Sequence, residues 1–495
     1  MTAREWGVKG MVTLIGAGPG DKGLLTLKGA ERLRDADVVL YDRFVSEEIL
    51  AMIPDAAEKI NVGKNAGNHP VPQEEINKRL LEKARQGLNV VRLKGGDPFL
   101  FGRGGEELEL LAENGIPFEV VPGVTTAIAG AAYAGIPVTH RDYASSLHII
   151  TGHAKNNEPP GINYDALVRT SGTLVFMMGV SALEDICAGC VAAGMDADMP
   201  AAIAENATTG VQRKFTGTVE TLPAIARANA VRSPAVIIIG KVCALSERYD
   251  WFGKKPLLGK RVIVARAKPG TSKLSDELRE LGCHVAIMPP ARIVPLDFTE
   301  RLKIIGTYSW LVFTSGLGVQ VFFDALIECG IDIRELSHLK IACVGSETEK
   351  EIAKRGIRAD YCPSEYNGAA LARGLRDQVE KGGKLLIARD KDGAKELTRI
   401  LSDGDIDYDD VAVYEKIHVP GSHTAAEDAD FAAFTSSSAV DWFAKSAVNV
   451  DFGKVKAVCI GERTAATAKS YGMEIYVSKE ASINSMVEKI KELCE

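Results

Sequence analysis

From Val12 to about Ala244, short apolar runs alternate with longer stretches in which apolar residues recur every three or four positions. Apolar runs of this length are typical of buried strands, and the longer periodic stretches are typical of amphipathic helices. The predicted strands lie in MVTLIGAG, ADVVLYD, NVVRLKGG, LHIIT, TLVFMMG and PAVIIIG, and the predicted helices include LLTLKGAERLRDA and GRGGEELELLAENG. Strands that alternate with helices predict an α/β fold with a largely parallel sheet in its early part.

The pattern breaks at LSERYDWFGKKPLLGK, and RVIVARAKPG then begins a new strand, so we place a domain boundary near Lys254 to Leu258. The second half contains a weak internal repeat. WLVFTSGLGVQVFFDAL (from Trp310) matches FAAFTSSSAVDWFAKS (from Phe431), and KIACVGSETEKEIAKRG (from Lys340) matches KAVCIGERTAATAKSYG (from Lys456). The repeat predicts two similar α/β lobes, with polar turns at the carboxyl edge of each sheet, where open α/β folds bind ligands.

Composition narrows the class of protein. The 495 residues are 46% hydrophobic and 25% charged, which is ordinary for a globular α/β protein of about three folding units. A net charge of -7 argues against a nucleic-acid partner. No apolar run is long enough for a membrane helix and MTAREWGVKG has no apolar signal core, so we expect no membrane partner and a cytoplasmic location.

Cysteine and histidine spacing gives no metal signature. Cys187 and Cys190 form the only C-x-x-C among nine cysteines, and they lie in a helical stretch without a second pair. The spacing of His69, His140, His148 and His153 matches no zinc pattern. We interpret the cysteine pair as structural and expect no metal.

The first glycine motif, Gly16-Ala17-Gly18-Pro19-Gly20-Asp21, lies between a predicted strand and a predicted helix. Asp42 follows at the end of the next strand, at the spacing of a dinucleotide-binding fingerprint. A nicotinamide-dependent dehydrogenase is therefore one hypothesis. Pro19 weakens it, because a dinucleotide fold needs an open phosphate turn at that position.

The second glycine motif lies in VVRLKGGDPFLFGRGGEE, from Val90 to Glu107, and VVPGVTTAIAG and GIPVTHRDYASSLHIITGH follow it. Gly95 and Gly96 allow a ligand to approach the backbone, and Asp97 offers a carboxylate for hydroxyls or a cation. The alternative is a tight strand-to-helix turn in which Asp97 only caps the helix.

In this order, the blocks resemble the tetrapyrrole methylase family, and within it uroporphyrinogen-III C-methyltransferase, over about residues 11 to 250. The resemblance implies two α/β subdomains with S-adenosylmethionine in the cleft between them, and a homodimer formed through this domain. It implies these cofactor contacts: Pro19, Gly95, Gly96, Asp97, Leu100, Thr125, Thr126, Met178 and Ala207. It also implies Asp42 as the base, Lys64 as the acid or charge stabiliser, and Arg103 as a ligand of substrate carboxylates. The alternatives are a core methionine at Met178 and solvated surface charges at Lys64 and Arg103.

Residues from about 258 to 495 resemble uroporphyrinogen-III synthase, through RVIVAR, FTSGLGV, CVGSET, VAVYEK, FTSSSAV and IGERTA. The resemblance implies one lobe from about 258–292 plus 418–495 and another from about 295–414. It implies a reaction without a cofactor, the closure of hydroxymethylbilane with inversion of its last ring, in which Tyr414 assists loss of the hydroxyl. The candidate substrate carboxylate binders at helix starts are Thr314, Ser315, Thr435, Ser436 and Thr464. The alternatives are a plain strand residue at Tyr414 and simple helix capping at the others.

We therefore expect a bifunctional enzyme that makes uroporphyrinogen III and methylates it twice to precorrin-2, on the route to sirohaem or cobalamin. Two alternatives remain at this point. One is a methyltransferase whose C-terminal half is a ligand-sensing module, and the other is the dehydrogenase.

Overall fold

A computed structural model describes residues 10–54, 56–63, 71–152, 161–265, 272–288, 292–393, 395–417, 428–447 and 450–495. The chain forms two compact units, Met1–Met288 with Ser422–Glu495, and Pro289–Gly421. Both units are α/β, as the sequence predicts. Within the described ranges, no helix is both long and apolar enough to cross a membrane.

The first sheet of the larger unit is parallel. Its strands are β1 (Val12–Gly16), β2 (Val38–Tyr41), β3 (Glu58–Asn61), β4 (Val90–Lys94) and β5 (Phe118–Val121). They lie in the order β3-β2-β4-β1-β5. The accompanying helices are α1 (Leu27–Arg34), α2 (Glu47–Leu50), α3 (Gln73–Arg85) and α4 (Gly104–Glu113). Alternate strand residues enter two separate cores, Ile15 with Leu33 of α1 and Leu14 with Leu80 of α3, so both faces of the sheet are covered.

A second, mixed sheet follows. Helix α5 (Thr126–Tyr133) packs on it, and its strands are β6 (Leu147–Thr151), β7 (Thr173–Met177), β8 (Pro200–Glu205), β9 (Arg213–Thr218) and β10 (Ala235–Ile239). Its other helices are α6 (Tyr164–Arg169), α7 (Leu183–Ala192) and α8 (Leu222–Ala228). The order is β6-β7-β10-β8-β9, and only β6 and β7 pair in parallel. The prediction of a largely parallel sheet in the early part of the chain is therefore correct for the first sheet, whereas the second sheet is mixed and includes β8 and β9, which pair in antiparallel through a short connection.

The third sheet also belongs to the larger unit, and all its strands are parallel. They are β11 (Arg261–Ala265), β12 (His284–Met288), and, after the chain returns, β18 (Phe431–Phe434), β19 (Lys456–Cys459) and β20 (Glu474–Val477). The order is β12-β11-β18-β19-β20. Its helices are α9 (Lys273–Glu280), α15 (Ser437–Ser446), α16 (Glu462–Ser470) and α17 (Ile483–Glu492).

The smaller unit contains the fourth sheet. Its strands are β13 (Arg292–Pro295), β14 (Trp310–Phe313), β15 (Lys340–Cys343), β16 (Lys384–Asp390) and β17 (Asp407–Ile417), in the order β13-β17-β16-β14-β15. Its helices are α10 (Thr299–Lys303), α11 (Gly316–Glu328), α12 (Ser346–Ala353), α13 (Gly368–Gln378) and α14 (Glu396–Ser402). Only β13 is antiparallel to its neighbour.

The predicted internal repeat is confirmed. Strand β14 leads through Ser315 into α11, as β18 leads through Ser436 into α15. Each serine accepts a hydrogen bond from the backbone three residues later, at 3.0 Å from Gly318 N and 3.2 Å from Ala439 N. The same strand–serine–helix unit is therefore built once in each sheet.

Candidate active sites

Three glycine-containing segments meet at the carboxyl end of β1. Gly18 and Gly96 exchange backbone hydrogen bonds, 3.1 Å from Gly18 N to Gly96 O and 2.7 Å in return. A Cβ on Gly123 would lie 2.1 Å from Gly96 O, and one on Gly16 would lie 2.4 Å from the Gly123 Cα. Because side chains are excluded here, the three segments form one surface of backbone, which we call the glycine cradle (Gly16–Gly18, Gly95–Asp97 and Gly123).

The Asp97 carboxylate holds two segments of this cradle together through hydrogen bonds. Its Oδ1 accepts hydrogen bonds from Phe99 N (2.8 Å) and Leu100 N (3.0 Å), and its Oδ2 accepts one from Gly123 N (3.0 Å). Three of about four acceptor positions of a carboxylate are thus used by the protein's own backbone. The tight turn of the alternative for Asp97 is therefore present, but Asp97 does not cap α4, which begins only at Gly104. Gly96, with φ +68° and open space where a Cβ would be, offers the freer ligand surface.

Other predicted cofactor residues lie on segments that contact the cradle. Thr125 caps α5 by accepting from Ala127 N at 3.3 Å, and Thr126 is the first residue of that helix. A Cβ on Gly20, next to Pro19, would lie 3.1 Å from Thr208 Oγ1 and 3.8 Å from Ala207 O. The structure thus brings Pro19, Gly96 and the Ala207 segment into one neighbourhood.

Met178 and Arg103 both have left-handed backbones, with φ of +56° and +58°. Such non-glycine conformations cost about 1–3 kcal/mol and concentrate at functional sites. Met178 is 46% exposed, so the alternative of an ordinary core methionine is wrong. Arg103 pairs with exposed Glu106 at 2.6 Å, and that hydrogen bond raises the pKa of Arg103. Lys64, the predicted acid, lies outside the described residues.

Asp42 belongs to a buried charge cluster that sequence reasoning missed. Arg92 donates from Nη2 to Asp42 Oδ1 (2.6 Å) and from Nε to Glu107 Oε1 (3.0 Å). Lys94 Nζ donates to the same Glu107 oxygen at 2.8 Å. Side-chain exposure is 2% for Arg92, 0% for Glu107, 5% for Lys94 and 27% for Asp42. Two cations balance two carboxylates, as burial of charge requires.

The pKa values of the two cations in this cluster are shifted in opposite directions. Burial opposes the charged form of Arg92, but Asp42 and Glu107 outweigh that effect, and the pKa of Arg92 is raised. Burial lowers the pKa of Lys94, and the neighbouring Arg92 lowers it further. Asp42 is therefore held by a firmly charged guanidinium while its own carboxylate still reaches solvent. The signal in the sequence was two charged residues inside the apolar run VVRLK.

In the smaller unit, Tyr414 and Ser315 meet at the carboxyl ends of β14 and β16. The Ser315 Oγ and Tyr414 OH lie 3.1 Å apart, and Tyr414 is 2% exposed. Burial raises the pKa of Tyr414. Asp390 is the strand neighbour of Tyr414, and Lys416 pairs with Asp390 while its Nζ lies 5.7 Å from the Tyr414 ring centroid. Sequence reasoning missed Asp390 and Lys416, although VAVYEK contains Lys416.

The remaining predicted substrate residues follow the strand ends. Thr314 and Thr435 are half-buried, directly after β14 and β18. Ser315 and Ser436 cap their helices, so the capping alternative is correct for both. Thr464 is 4% exposed within α16, and its side chain is packed inside the lobe rather than presented to solvent.

No feature of the described residues indicates a metal centre: no group of three or more histidine, cysteine or acidic side chains is placed to bind an ion there. Cys187 and Cys190 are buried in α7, and burial raises their pKa values to about 12 and about 11. Protonated, buried thiols fit the structural interpretation of this pair.

The order of the first sheet also bears on the dehydrogenase hypothesis. In a dinucleotide fold the first strand lies between the second and fourth, and the glycine turn leads directly into a helix. Here β4 lies between β2 and β1, and α1 begins only at Leu27, after a separate short 3-10 turn (Lys22–Leu24). The topology therefore does not support that hypothesis.

Comparison with known proteins divides the chain in the same two halves. Residues 11–223 match the family of tetrapyrrole (corrin/porphyrin) methylases, and residues 272–488 match the family described as uroporphyrinogen-III synthase HemD. The porphyrin biosynthesis protein HemD of Ruminiclostridium josui is 46% identical over 98% of both chains. The uroporphyrinogen-III C-methyltransferase of Bacillus subtilis (strain 168) is 41% identical over 70% of this chain and 72% of its own.

Among solved structures, the uroporphyrin-III C-methyl transferase of Thermus thermophilus, complexed with S-adenyl homocysteine, is 41% identical. It covers 48% of this chain and 99% of its own, with a TM-score of 0.41.

Proposed function

The chain belongs to the tetrapyrrole methylases through its first half and to the uroporphyrinogen-III synthases through its second, and on this premise we propose that it catalyses two consecutive reactions. Residues 258–495 close hydroxymethylbilane to uroporphyrinogen III with inversion of the last ring. Residues 11–250 methylate that product twice with S-adenosylmethionine, giving precorrin-2. The observation that carries the proposal is the end-to-end similarity to one relative that contains both halves.

The glycine cradle supports S-adenosylmethionine as the methyl donor. The backbone groups of Gly18 and Gly96 bond to each other, and the open space where a Cβ of Gly96 would be lets a ligand approach this backbone closely. Met178 offers an exposed apolar side chain for the cofactor. When bound, the cofactor supplies a methyl group activated on a sulfonium. The cofactor contacts we propose are Pro19, Gly95, Gly96, Asp97, Leu100, Thr125, Thr126, Met178 and Ala207.

The proposed roles on the substrate side follow from charge and exposure. Asp42 takes the proton released when the ring carbon is methylated, and Arg92 fixes the carboxylate in position through its 2.6 Å hydrogen bond. Arg103 binds substrate carboxylates, since its guanidinium is more than half exposed and its partner Glu106 is equally exposed. Lys64 keeps its proposed role as acid or charge stabiliser on the resemblance alone.

For ring closure, we propose that Tyr414 donates the proton with which the hydroxyl of hydroxymethylbilane leaves as water. Ser315 accepts from or donates to the phenol at 3.1 Å, and Lys416 above the ring supplies positive charge as the phenol loses its proton. Thr314, Thr435 and the starts of α11 and α15 bind carboxylates through hydroxyl and backbone N–H groups, whereas Thr464 is too buried for its hydroxyl to do so without a rearrangement of α16. No cofactor is needed, because positioning and proton transfer suffice for this step.

We further propose a cytoplasmic homodimer that serves sirohaem or cobalamin synthesis. All nine cysteines are free, as is usual in a reducing compartment. The proposed dimer forms through the methylase half. Light scattering of the purified full-length chain and of residues 11–250 alone gives the molar mass of each, and both should be dimeric.

The decisive test supplies hydroxymethylbilane to the purified full-length chain, with and without S-adenosylmethionine, and identifies products by mass and isomer. We expect uroporphyrinogen III without the cofactor and a doubly methylated product with it. Omission of the protein controls for spontaneous closure, which gives the uninverted isomer. If the protein yields only the uninverted isomer but methylates supplied uroporphyrinogen III, the second half is not a synthase and the sensing alternative replaces it.

A further inference from the structure

The two halves of the larger unit meet through a cluster of four charged side chains, which we call the bracing cluster (Lys22, Glu48, Asp276 and Arg279). Lys22 and Glu48 belong to the methylase half, whereas Asp276 and Arg279 lie on α9 of the synthase half. Lys22 Nζ lies 2.5 Å from Asp276 Oδ1, and Arg279 Nε lies 2.5 Å from Glu48 Oε1. Arg279 Nη1 is 3.7 Å from Asp276 Oδ1 and closes the group.

The bracing cluster is partly removed from water. Side-chain exposure is 32% for Lys22, 44% for Asp276, 14% for Arg279 and 20% for Glu48. Burial raises the pKa of Glu48, while Arg279 and Lys22 oppose that shift. Charges as sheltered as those of Arg279 and Glu48 interact more strongly than an exposed pair such as Arg227 and Glu184.

Lys22 directly follows the Gly16–Asp21 loop, which contains the proposed cofactor contact Pro19. Asp21 precedes it, accepts hydrogen bonds from Gly23 N (2.7 Å) and Tyr133 OH (2.7 Å), and donates from its own N to Thr208 Oγ1 (3.3 Å). Pro19 and Gly20 come immediately before. A displacement of Lys22 would therefore also displace the segment that carries the first glycines of the cradle.

A second contact reaches the cofactor segment that contains Ala207. Gly210 has no room for a side chain, because a Cβ would lie 2.2 Å from His284 N and 2.4 Å from Cys283 C. Gly210 O also accepts a hydrogen bond from Gly259 N at 2.9 Å. The start of β12 thus lies directly against the chain three residues beyond Ala207.

We propose that the first lobe of the synthase is a structural part of the methyltransferase cofactor site, with Lys22 and Asp276 as positioning residues. The proposal rests on the cofactor assignment made above. The lobe holds both the Gly16–Asp21 loop and the Ala207 segment in place, so less ordering is required when the cofactor binds. By linkage, cofactor binding in turn favours the docked lobe.

The test is Asp276→Lys in the full-length chain, with S-adenosylhomocysteine binding measured by calorimetry. Two facing lysines should raise the dissociation constant roughly five- to twenty-fold, as coupling across a contact pair predicts. KM for S-adenosylmethionine should rise with it, while kcat at saturating cofactor stays near wild type. The reversed pair, Lys22→Asp with Asp276→Lys, should recover part of the lost affinity, because the attraction between the two positions returns although Arg279 then faces a lysine. Glu184→Lys, in the exposed pair with Arg227, is the matched control and should leave binding unchanged.

An Asp276→Lys protein with wild-type affinity overturns the proposal, as does loss of affinity that the reversed pair does not rescue. If Asp276→Lys fails to fold, Asp276→Asn and Lys22→Gln decide the question, and wild-type affinity in both overturns it. A wild-type chain that does not bind S-adenosylhomocysteine refutes the cofactor assignment instead, which keeps the two failures distinct.

Discussion

Replacement of Arg92 tests two roles of the buried charge cluster, the stabilisation of β4 and α4 and the positioning of Asp42. It serves Asp42 through Nη2 and Glu107 through Nε, at 2.6 and 3.0 Å, while only 2% exposed. Arg92→Met leaves Lys94 alone against two carboxylates. One of them, Glu107, is fully buried, and its second oxygen has no hydrogen-bond partner among the described residues. Breaking a buried pair from one side costs about 3–5 kcal/mol, so we expect a loss of that size in the free energy of opening β4 and α4.

Arg92→Lys keeps the positive charge but loses the guanidinium group, which donates to two carboxylates at once. A single ammonium cannot reproduce both the Nη2 and the Nε contacts, so either Asp42 or Glu107 loses its partner. We expect a smaller loss of stability, about 1–3 kcal/mol, together with a lower kcat for methylation and nearly unchanged affinity for S-adenosylhomocysteine. The affinity is spared because Arg92 donates its hydrogen bonds to Asp42, to Glu107 and to the carbonyl groups of Leu40 and Leu93, which lie outside the glycine cradle.

Hydrogen exchange with mass spectrometry is the suitable assay, because it reports local opening of β4 and α4 in a chain with more than one compact unit. Arg227→Met, which removes an exposed ion pair with Glu184, is the control and should cost no more than about 1 kcal/mol. If Arg92→Met exchanges like this control, the cluster does not stabilise β4. If Arg92→Lys methylates at the wild-type rate, Arg92 does not position Asp42.

Three further changes test other parts of the two sites. Asp97→Asn places an NH₂ group against either the Gly123 N–H or the two N–H groups of its own turn. It should weaken S-adenosylhomocysteine binding, measured by calorimetry, roughly ten- to a hundred-fold and leave ring closure unchanged. Gly123→Ala introduces a Cβ 2.1 Å from a carbonyl oxygen and should lower stability by about 1–3 kcal/mol, whereas Gly105→Ala, with nothing within 4 Å, should be neutral or stabilising in thermal unfolding. Tyr414→Phe removes the phenol bonded to Ser315 and should slow uroporphyrinogen III formation in a stopped assay, while methylation of supplied uroporphyrinogen III continues at its normal rate.

The sequence predicts most of what local pattern determines. The six apolar runs correctly predict β1, β2 and β4 of the first sheet and β6, β7 and β10 of the second. The Phe-Thr-Ser repeat correctly predicts two equivalent strand-to-helix turns at Ser315 and Ser436. The sequence also identifies the glycine motifs, since glycine is needed where two backbone segments approach so closely that no Cβ fits between them. Their convergence at Gly16, Gly96 and Gly123 confirms that the motifs form one surface. The cofactor and substrate roles of individual residues remain predictions.

Other features depend on contacts that no local pattern encodes. Arg92 and Lys94 are the charged residues of the otherwise apolar strand VVRLK, and nothing in that local pattern predicts an Arg92 side chain only 2% exposed. Its burial becomes intelligible only when Glu107, from the following helix, is placed beside it. The antiparallel pairing of β8 and β9 likewise depends on a short connection rather than on strand composition.

The junction between the two halves shows why family boundaries and compact units differ here. Phe252 is 4% exposed and packs on Tyr133 of the methylase half, with ring centroids 4.8 Å apart. Leu257, five residues later, is fully buried in the core of the third sheet, and its N–H donates to Leu281 O at 3.0 Å. Because each end of the junction is buried in a different core, separating the halves would expose apolar surface on both. The methylase half and the first synthase lobe therefore form one compact unit, although each resembles a family of its own.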